Sequence, residues 1–350
     1  MTLAKIDPRN CGPAELEEWA KGRGADPSAA RRLLSMIFQR EVLDPARWTA
    51  EGRVPKRLIE TLGPLPLPRL RLDHSVTSPT DGFQKLRFLT HDDLAIETVL
   101  IPLHKAGAVS LCLSSQVGCA MGCVFCATAR MANRRNLRTW EIVDQFIQAR
   151  ELVKGQGRRV TGAVFMGMGE PFLNYDNVLT TAELLRCSWA GSVAAKAITI
   201  STVGLVPEID RFTREQRRYR LAISLGAATD EKRRALVPVA ARWPVAEVMA
   251  AARRYALARR DRVTLAYVCI SGVNVGDDDA RALGELIGDT PARVDLIDVT
   301  DSTGRFSPPS ADELRTFRDA LTRHVGQPVV RRYSGGKDIQ AACGTLAGAI

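Results

Sequence analysis

The absences in this sequence narrow it first. No stretch approaches the roughly 18 consecutive apolar residues that a membrane-crossing helix needs, so no membrane partner is expected. The N-terminus also lacks an apolar run. It carries Pro13, Glu15, Glu17 and Glu18 instead, so no secretory leader is expected. There is no residue-level repeat and no low-complexity tract, which leaves an ordinary folded chain. Finally, three closely spaced thiols, Cys119, Cys123 and Cys126, are followed by neither a His nor a fourth Cys at the spacing that closes a four-ligand zinc site.

The totals then bound the class. The chain has 350 residues, 45% of them hydrophobic, enough to bury a large core. Eight cysteines, three of them clustered, suggest metal or redox chemistry in a reducing compartment, and the expectation is cytoplasmic. A net charge of +10 is the electrostatic footprint of a protein that meets a polyanion, with RNA or DNA the common case. The same surplus also arises in a basic protein that simply uses arginine freely.

Periodicity divides the chain into three stretches. Residues 1–70 read as short helices. One opens at Pro13, one follows Asp26-Pro27-Ser28 with Leu33, Leu34, Ile37 and Phe38 on one face, and one covers 54–62. The Gly63-Pro64-Leu65-Pro66-Leu67-Pro68 run ends the helical pattern. Residues 71–106 read as a β-hairpin extension, with strands at 85–90 and 95–101 around a His91-Asp92-Asp93 turn. Residues 107–350 alternate between the two periods. Strands are expected at 108–113, 162–166, 196–200, 219–225, 262–270 and 293–298, and helices at 139–153, 176–187, 205–215, 244–258 and 278–288. Such alternation implies an α/β fold with a parallel sheet and right-handed crossovers. Six units are too few for a closed eight-stranded barrel. The reading is a partial (βα)6 barrel with its chemistry at the C-terminal strand ends, preceded by a small helical domain.

The thiol loop follows the first of these strands. Thiolates are soft ligands that select zinc, copper(I) or iron–sulfur clusters. A [4Fe–4S] cube held by only three thiolates keeps one iron open for an outside ligand, which is what an enzyme that binds and reduces a substrate requires. The plainer alternative is a zinc site or three unrelated buried thiols. The C-x3-C-x2-C spacing resembles that of the radical S-adenosylmethionine (SAM) enzymes. In that superfamily the open iron chelates SAM, and an electron from the cluster cleaves a C–S bond. Other strand ends offer partners for such a ligand. In Gly167-Met168-Gly169-Glu170-Pro171, Gly169 permits close backbone approach and Glu170 can accept from an ammonium group. Ser201, Ser224, Leu225 and Gly226 lie at the next two strand ends. There, small polar groups bind a ribose or carboxylate, or merely cap a helix.

Four segments sharpen the resemblance: Ser114 to Cys119, Asn136-Leu137-Arg138, Gly167 to Pro171, and Ala341-Ala342-Cys343-Gly344. Together they resemble the radical-SAM RNA adenine methyltransferases, from about residue 85 to the C-terminus. Members of that family methylate carbon 2, or in a sister group carbon 8, of an adenine in large-subunit rRNA, and some act on tRNA. These ring carbons are electron-poor and cannot attack the SAM methyl group, whereas a thiolate can. The resemblance implies that Cys343 takes a methyl group from one SAM. A radical from a second SAM then removes hydrogen from that methyl, and the carbon adds to the adenine ring. Glu97 matches the proposed base that takes the ring proton. Cys112 matches the thiol that displaces the sulfur, leaving a Cys112–Cys343 disulfide for a cytoplasmic reductant to reopen. The cluster also needs an electron donor such as flavodoxin or ferredoxin. Read without the family, Cys112 and Cys343 would pass as small core residues and Glu97 as a solvent-facing carboxylate. Cys11, Cys187 and Cys269 have no match and read as structural. Arg130, Arg134, Arg135 and Arg138 are placed for phosphates, or for a solvated helix start.

Two positions depart from the family pattern. Gly226 stands where the family usually has His, and Thr300 where it usually has a SAM-contacting Asn, whose reach a hydroxyl does not match. Two rival readings belong to other classes. A radical-SAM enzyme acting on a peptide or small molecule explains the cluster but not the charge or Cys343. A non-catalytic, metal-stabilised RNA-binding protein leaves Glu170 idle.

Overall fold

The computed structural model describes residues 5–348. Its strands are β1 (Arg71–Thr77), β2 (Gln84–Leu89), β3 (Ala95–Pro102), β4 (Ala108–Cys112), β5 (Gln116–Val117), β6 (Arg135–Asn136), β7 (Arg159–Phe165), β8 (Ile198–Thr202), β9 (Arg220–Ser224), β10 (Val263–Cys269), β11 (Ala292–Asp298) and β12 (Val329–Arg331). All but β5 and β6, which pair with each other, form one ten-stranded sheet whose order follows the chain. Its first four strands are antiparallel. From β4 to β12 every pairing is parallel, and β12 stays at the edge, so the barrel is open.

A parallel sheet is covered on both faces by its crossover helices, which is why β4, Ala-Val-Ser-Leu-Cys, is buried along its whole length. The helices Thr139–Gly155, Tyr175–Arg186, Val206–Arg214, Val245–Arg259 and Asp277–Ile287 fall where periodicity puts them. A further unit extends the expected six. Helix Ala311–His324 leads into β12, a seventh parallel strand. Its start is marked by a capping box, with Ser310 Oγ accepting from Glu313 N at 3.2 Å and Glu313 Oε2 accepting from Ser310 N at 3.3 Å.

The N-terminal helices Pro13–Lys21 and Ser28–Phe38 form as expected, and Leu33, Leu34, Ile37 and Phe38 are wholly buried. The expected helix over 54–62 shrinks to Lys56–Ile59, because Leu62 leaves it to bridge Ile6 in extended geometry. These helices share one continuous apolar core with the sheet. A buried cation joins them to the barrel. Arg9, fully buried, donates to Asp7 at 2.7 Å and Pro68 O at 2.7 Å and lies 3.4 Å from Asp144 on the first barrel helix. Removing one partner of such a pair strands a buried charge, at a cost of about 3–5 kcal/mol.

Candidate active site

The C-terminal ends of the parallel strands surround a cavity of about 230 Å³. The three loop thiols, Cys119, Cys123 and Cys126, form part of its wall, and Gly169, Glu170, Ser201, Ser224, Gly226 and Thr300 form more of it. Cys112, the last residue of β4, and Cys343, from the far end of the chain, line the same space. Both are free thiols here.

The thiol spread bears on what they hold. Among the described residues, only His91, Asp92 and Glu141 bring three ligand atoms within 4.8 Å of one another. There Arg135 already fills the gap, 2.6 Å from Asp92 and 2.8 Å from Glu141. The three loop thiols therefore do not all lie within 4.8 Å of one another, whereas a single zinc ion with ~2.3 Å bonds to sulfur holds its thiolates ~3.8 Å apart. They suit a larger group bridging all three. Burial pushes Cys119 up to about 11 and raises Cys123 as well, so those two thiols keep their protons until a cation displaces them.

The rest of the wall fits a polar, cationic ligand. Glu170 is buried, accepting from Phe172 N at 3.0 Å and Val203 N at 2.9 Å, and burial pushes its carboxyl up to about 7. An ammonium group beside it would restore the carboxylate. Gly169, at φ +101°, lets the turn pass Gln116 so closely that a Cβ would lie 2.6 Å from that side chain. Thr300 Oγ1 is buried without a hydrogen-bond partner among the described residues, an orphaned polar atom that a ligand can satisfy. Ser201 Oγ and Ser224 Oγ stand 3.3 Å apart. Gly226, just past β9, turns with φ +76° against Val237, where an added Cβ would lie only 3.2 Å from that side chain. Leu225 is not in the wall. It is fully buried, its N–H on Ala266 O at 3.0 Å and its carbonyl accepting from Arg233 at 2.9 Å.

Glu97 is also absent from the cavity wall. It is fully buried, paired with Lys85 Nζ at 3.0 Å, and its Oε2 accepts from Ala347 N at 2.9 Å and Gly348 N at 3.2 Å. The chain beyond Cys343 therefore lies over it, with Leu346 in the cavity wall. This strap is tied down along its length. Gly336 N donates to Asp81 at 2.8 Å, Cys343 N to Ser334 Oγ at 3.2 Å, Ala127 N to Gly344 O at 2.7 Å, and Arg87 to Gly348 O at 2.7 Å.

Sequence reasoning missed several residues. Arg233, in an Asp-Glu-Lys-Arg-Arg run that reads as a solvated face, is buried and holds the carbonyls of Leu225 and Val203 at 2.9 and 2.5 Å, fixing two strand-end loops. Arg332, Tyr333 and Phe83 line the cavity without any motif to mark them. Of the four arginines after the thiol loop, Arg135 is held by its two carboxylates, and Arg130 reaches Ser302 at 2.8 Å. Arg134 and Arg138 are exposed and pair with no carboxylate among the described residues.

Comparison with known proteins agrees with this geometry. Residues 113–283 match the model of the radical SAM superfamily. A probable RNA methyltransferase of Myxococcus xanthus is 44% identical over 95% of this chain and 92% of its own length. A dual-specificity RNA methyltransferase RlmN of Geobacter sulfurreducens is 37% identical over 99% of this chain and 93% of its own. The crystal structure of a radical SAM methyltransferase from Sphaerobacter thermophilus superposes with a TM-score of 0.89 at 37% identity, covering 98% of this chain and all of that one. The open barrel and its three-thiol loop define a radical SAM enzyme. Within that class, the chain belongs to the radical SAM RNA methyltransferases of the RlmN type.

Proposed function

We propose that this chain methylates a ring carbon, C2 or C8, of an adenine in rRNA or tRNA, with Cys343 carrying the methyl group. The observation behind this reading is that Cys112 and Cys343, 231 positions apart in sequence, share one cavity with the three loop thiols. When bound to Cys119, Cys123 and Cys126, a [4Fe–4S] cluster supplies the electron that splits SAM. The chain's own residues do the rest. Glu170 accepts from the amino group of SAM, while Ser201, Ser224 and Thr300 satisfy its other polar groups and Gly169 and Gly226 leave it room. Cys343, as thiolate, takes the methyl group. That methyl carbon gives a hydrogen atom to the radical from a second SAM and bonds to the ring carbon, and the adduct then gives up the ring proton and returns one electron to the donor that supplied it. The Cys112 thiolate next attacks Cys343 sulfur, the S–C bond to the base breaks with its electron pair taken up as a protonated methyl group, and the disulfide left behind is reopened by two electrons. The required donors fit a cytoplasmic setting with a flavodoxin- or ferredoxin-like reductant. No helix among the described residues is long and apolar enough to cross a membrane. The helical stretch 1–70 and the strands of 71–106 serve as accessory elements on the RNA side.

The test is mass spectrometry of rRNA and tRNA nucleosides from cells with and without the gene. Loss of 2-methyladenosine or 8-methyladenosine on deletion, restored by wild type but not by Cys343→Ala, is expected. Identical nucleoside profiles in the deletion and wild type would reject the reading.

A further inference from the structure

Tyr333 is the most exposed large hydrophobic side chain among the described residues, at 68%, yet it is held firmly. Its hydroxyl donates to Asp81 Oδ2 at 2.8 Å. The same oxygen accepts Gly336 N at 2.8 Å, and Asp81 Oδ1 accepts Phe83 N at 3.2 Å. Phe83 meets the Tyr333 ring edge-on, with centroids 6.1 Å apart and planes at 70°. Both rings line the cavity that holds Cys112 and Cys343, and a side chain at once so exposed and part of the wall lies at the mouth. Next to it in sequence, the half-buried Arg332 lines the same cavity with no carboxylate partner among the described residues. Its Nη1 stands 3.3 Å from Met166 Sδ.

A rigid, water-exposed aromatic is costly unless something covers it, because its apolar face stays hydrated. The tether to Asp81 removes the ring's rotational freedom in advance, so a flat partner can settle on it without ordering it. The partner must be planar, small enough for a cavity mouth, and compatible with a neighbouring cation. A nucleobase on a phosphate backbone meets all three conditions, since every base offers a π-face and the backbone suits Arg332.

We propose that Tyr333 is a stacking platform for a nucleobase of single-stranded or unstacked RNA at the mouth of the cavity. The proposal rests on the RNA reading above. Tyr333 takes no part in the chemistry at Cys343. It positions RNA by holding a base beside the opening.

The test uses the full-length, cluster-reconstituted protein and a labelled adenine-rich single-stranded RNA of roughly a dozen nucleotides, within the span such grooves accommodate. An oligomer of the same backbone with abasic sites is the control. Tyr333→Ala is expected to weaken binding of the adenine oligomer about 5- to 150-fold, while Tyr333→Phe, which keeps the ring but loses the tether, loses clearly less. The abasic oligomer should bind wild type and Tyr333→Ala alike, and the salt dependence should not change, since no phosphate contact is removed. Equal binding of the adenine oligomer by Tyr333→Ala and wild type would overturn the proposal. So would an equal loss on the abasic oligomer, or a loss in Tyr333→Phe as large as in Tyr333→Ala, which would assign the effect to the Asp81 tether. S-Methylcysteine at Cys343, measured in wild type after exposure to SAM without RNA, separates the two readings. Its absence sinks the methyl-carrier assignment and leaves the binding result to decide Tyr333.

Discussion

Glu97 Oε2 accepts the backbone N–H of Ala347 at 2.9 Å, closing a span of 250 residues. The same oxygen takes Gly348 N–H, and Lys85 Nζ lies 3.0 Å from the other. A carboxylate expected to act as a base thus braces the strap behind Cys343, and a proton-accepting role requires that strap to lift first. Glu97→Ala should leave Lys85 buried without an anion and lower stability by about 3–5 kcal/mol. Hydrogen exchange of the peptide covering 345–348 should quicken in Glu97→Ala well beyond the change in global unfolding. Unchanged protection there would mean that the strap is held without Glu97.

If Cys119, Cys123 and Cys126 are the cluster's ligands, three thiolates leave it no spare. Cys119→Ala, Cys123→Ala and Cys126→Ala should each lose bound iron and all SAM cleavage after anaerobic reconstitution, with the fold retained by circular dichroism. Iron analysis, the visible charge-transfer absorbance and deoxyadenosine formation are the readouts. A variant that keeps four irons and full turnover would remove its thiol from the ligand set.

Cys112 and Cys343 should fail at different points. Cys343→Ala should never acquire S-methylcysteine. Cys112→Ala should still methylate Cys343 and still add to RNA, then stop as a covalent protein–RNA species that survives denaturation and vanishes on nuclease digestion. Gel electrophoresis with and without nuclease checks this. Normal turnover by Cys112→Ala would make Cys112 a core residue of β4.

Burial first, then the neighbouring Cys343, push the Cys112 thiol from about 9 up to about 12. Iodoacetamide labelling of Cys112 should therefore rise about tenfold per pH unit from pH 8 with no plateau below about pH 11, because only the thiolate reacts. Stability follows the same window. Below pH 9 both the folded and unfolded thiol hold their proton and nothing is lost. Above it the unfolded chain deprotonates first, and stability falls by up to about 1.4 kcal/mol per unit until about pH 12. Peptide mass spectrometry and denaturant titrations, with Cys112→Val as the reference, measure the two effects.

With a +10 charge, and with Arg134 and Arg138 exposed beyond the thiol loop, RNA binding should weaken steeply with salt. Arg134→Ala and Arg138→Ala should each reduce the slope of log K against log[salt] by about 0.7–0.9. Arg135→Ala should leave that slope unchanged, because its guanidinium is already held by Asp92 and Glu141. Filter binding across a salt series decides.

The alternation of strands and helices and the three-thiol loop were legible in the sequence because both are local. Cys119, Cys123 and Cys126 reach one cavity from a single loop, so their spacing alone carries the information. Strand and helix periods repeat within a dozen residues, which is why the helices from Thr139–Gly155 to Asp277–Ile287 fell where expected. Helix Ala311–His324 escaped although its Ser310–Glu313 box was written in the sequence. The shared cavity of Cys112 and Cys343 was available only through resemblance to a family, since nothing local joins two residues 231 positions apart. The grip of Glu97 on Ala347 and Gly348 had no such guide. Every residue but proline has a backbone N–H, so no side-chain pattern marks which one a distant carboxylate will take. Tyr333 reads as one tyrosine among five until Asp81 fixes it at the cavity mouth. Local spacing thus determined what chemistry the chain carries. The closure of the strap over the sheet, a long-range arrangement of backbone donors, decided which side chains face the cavity.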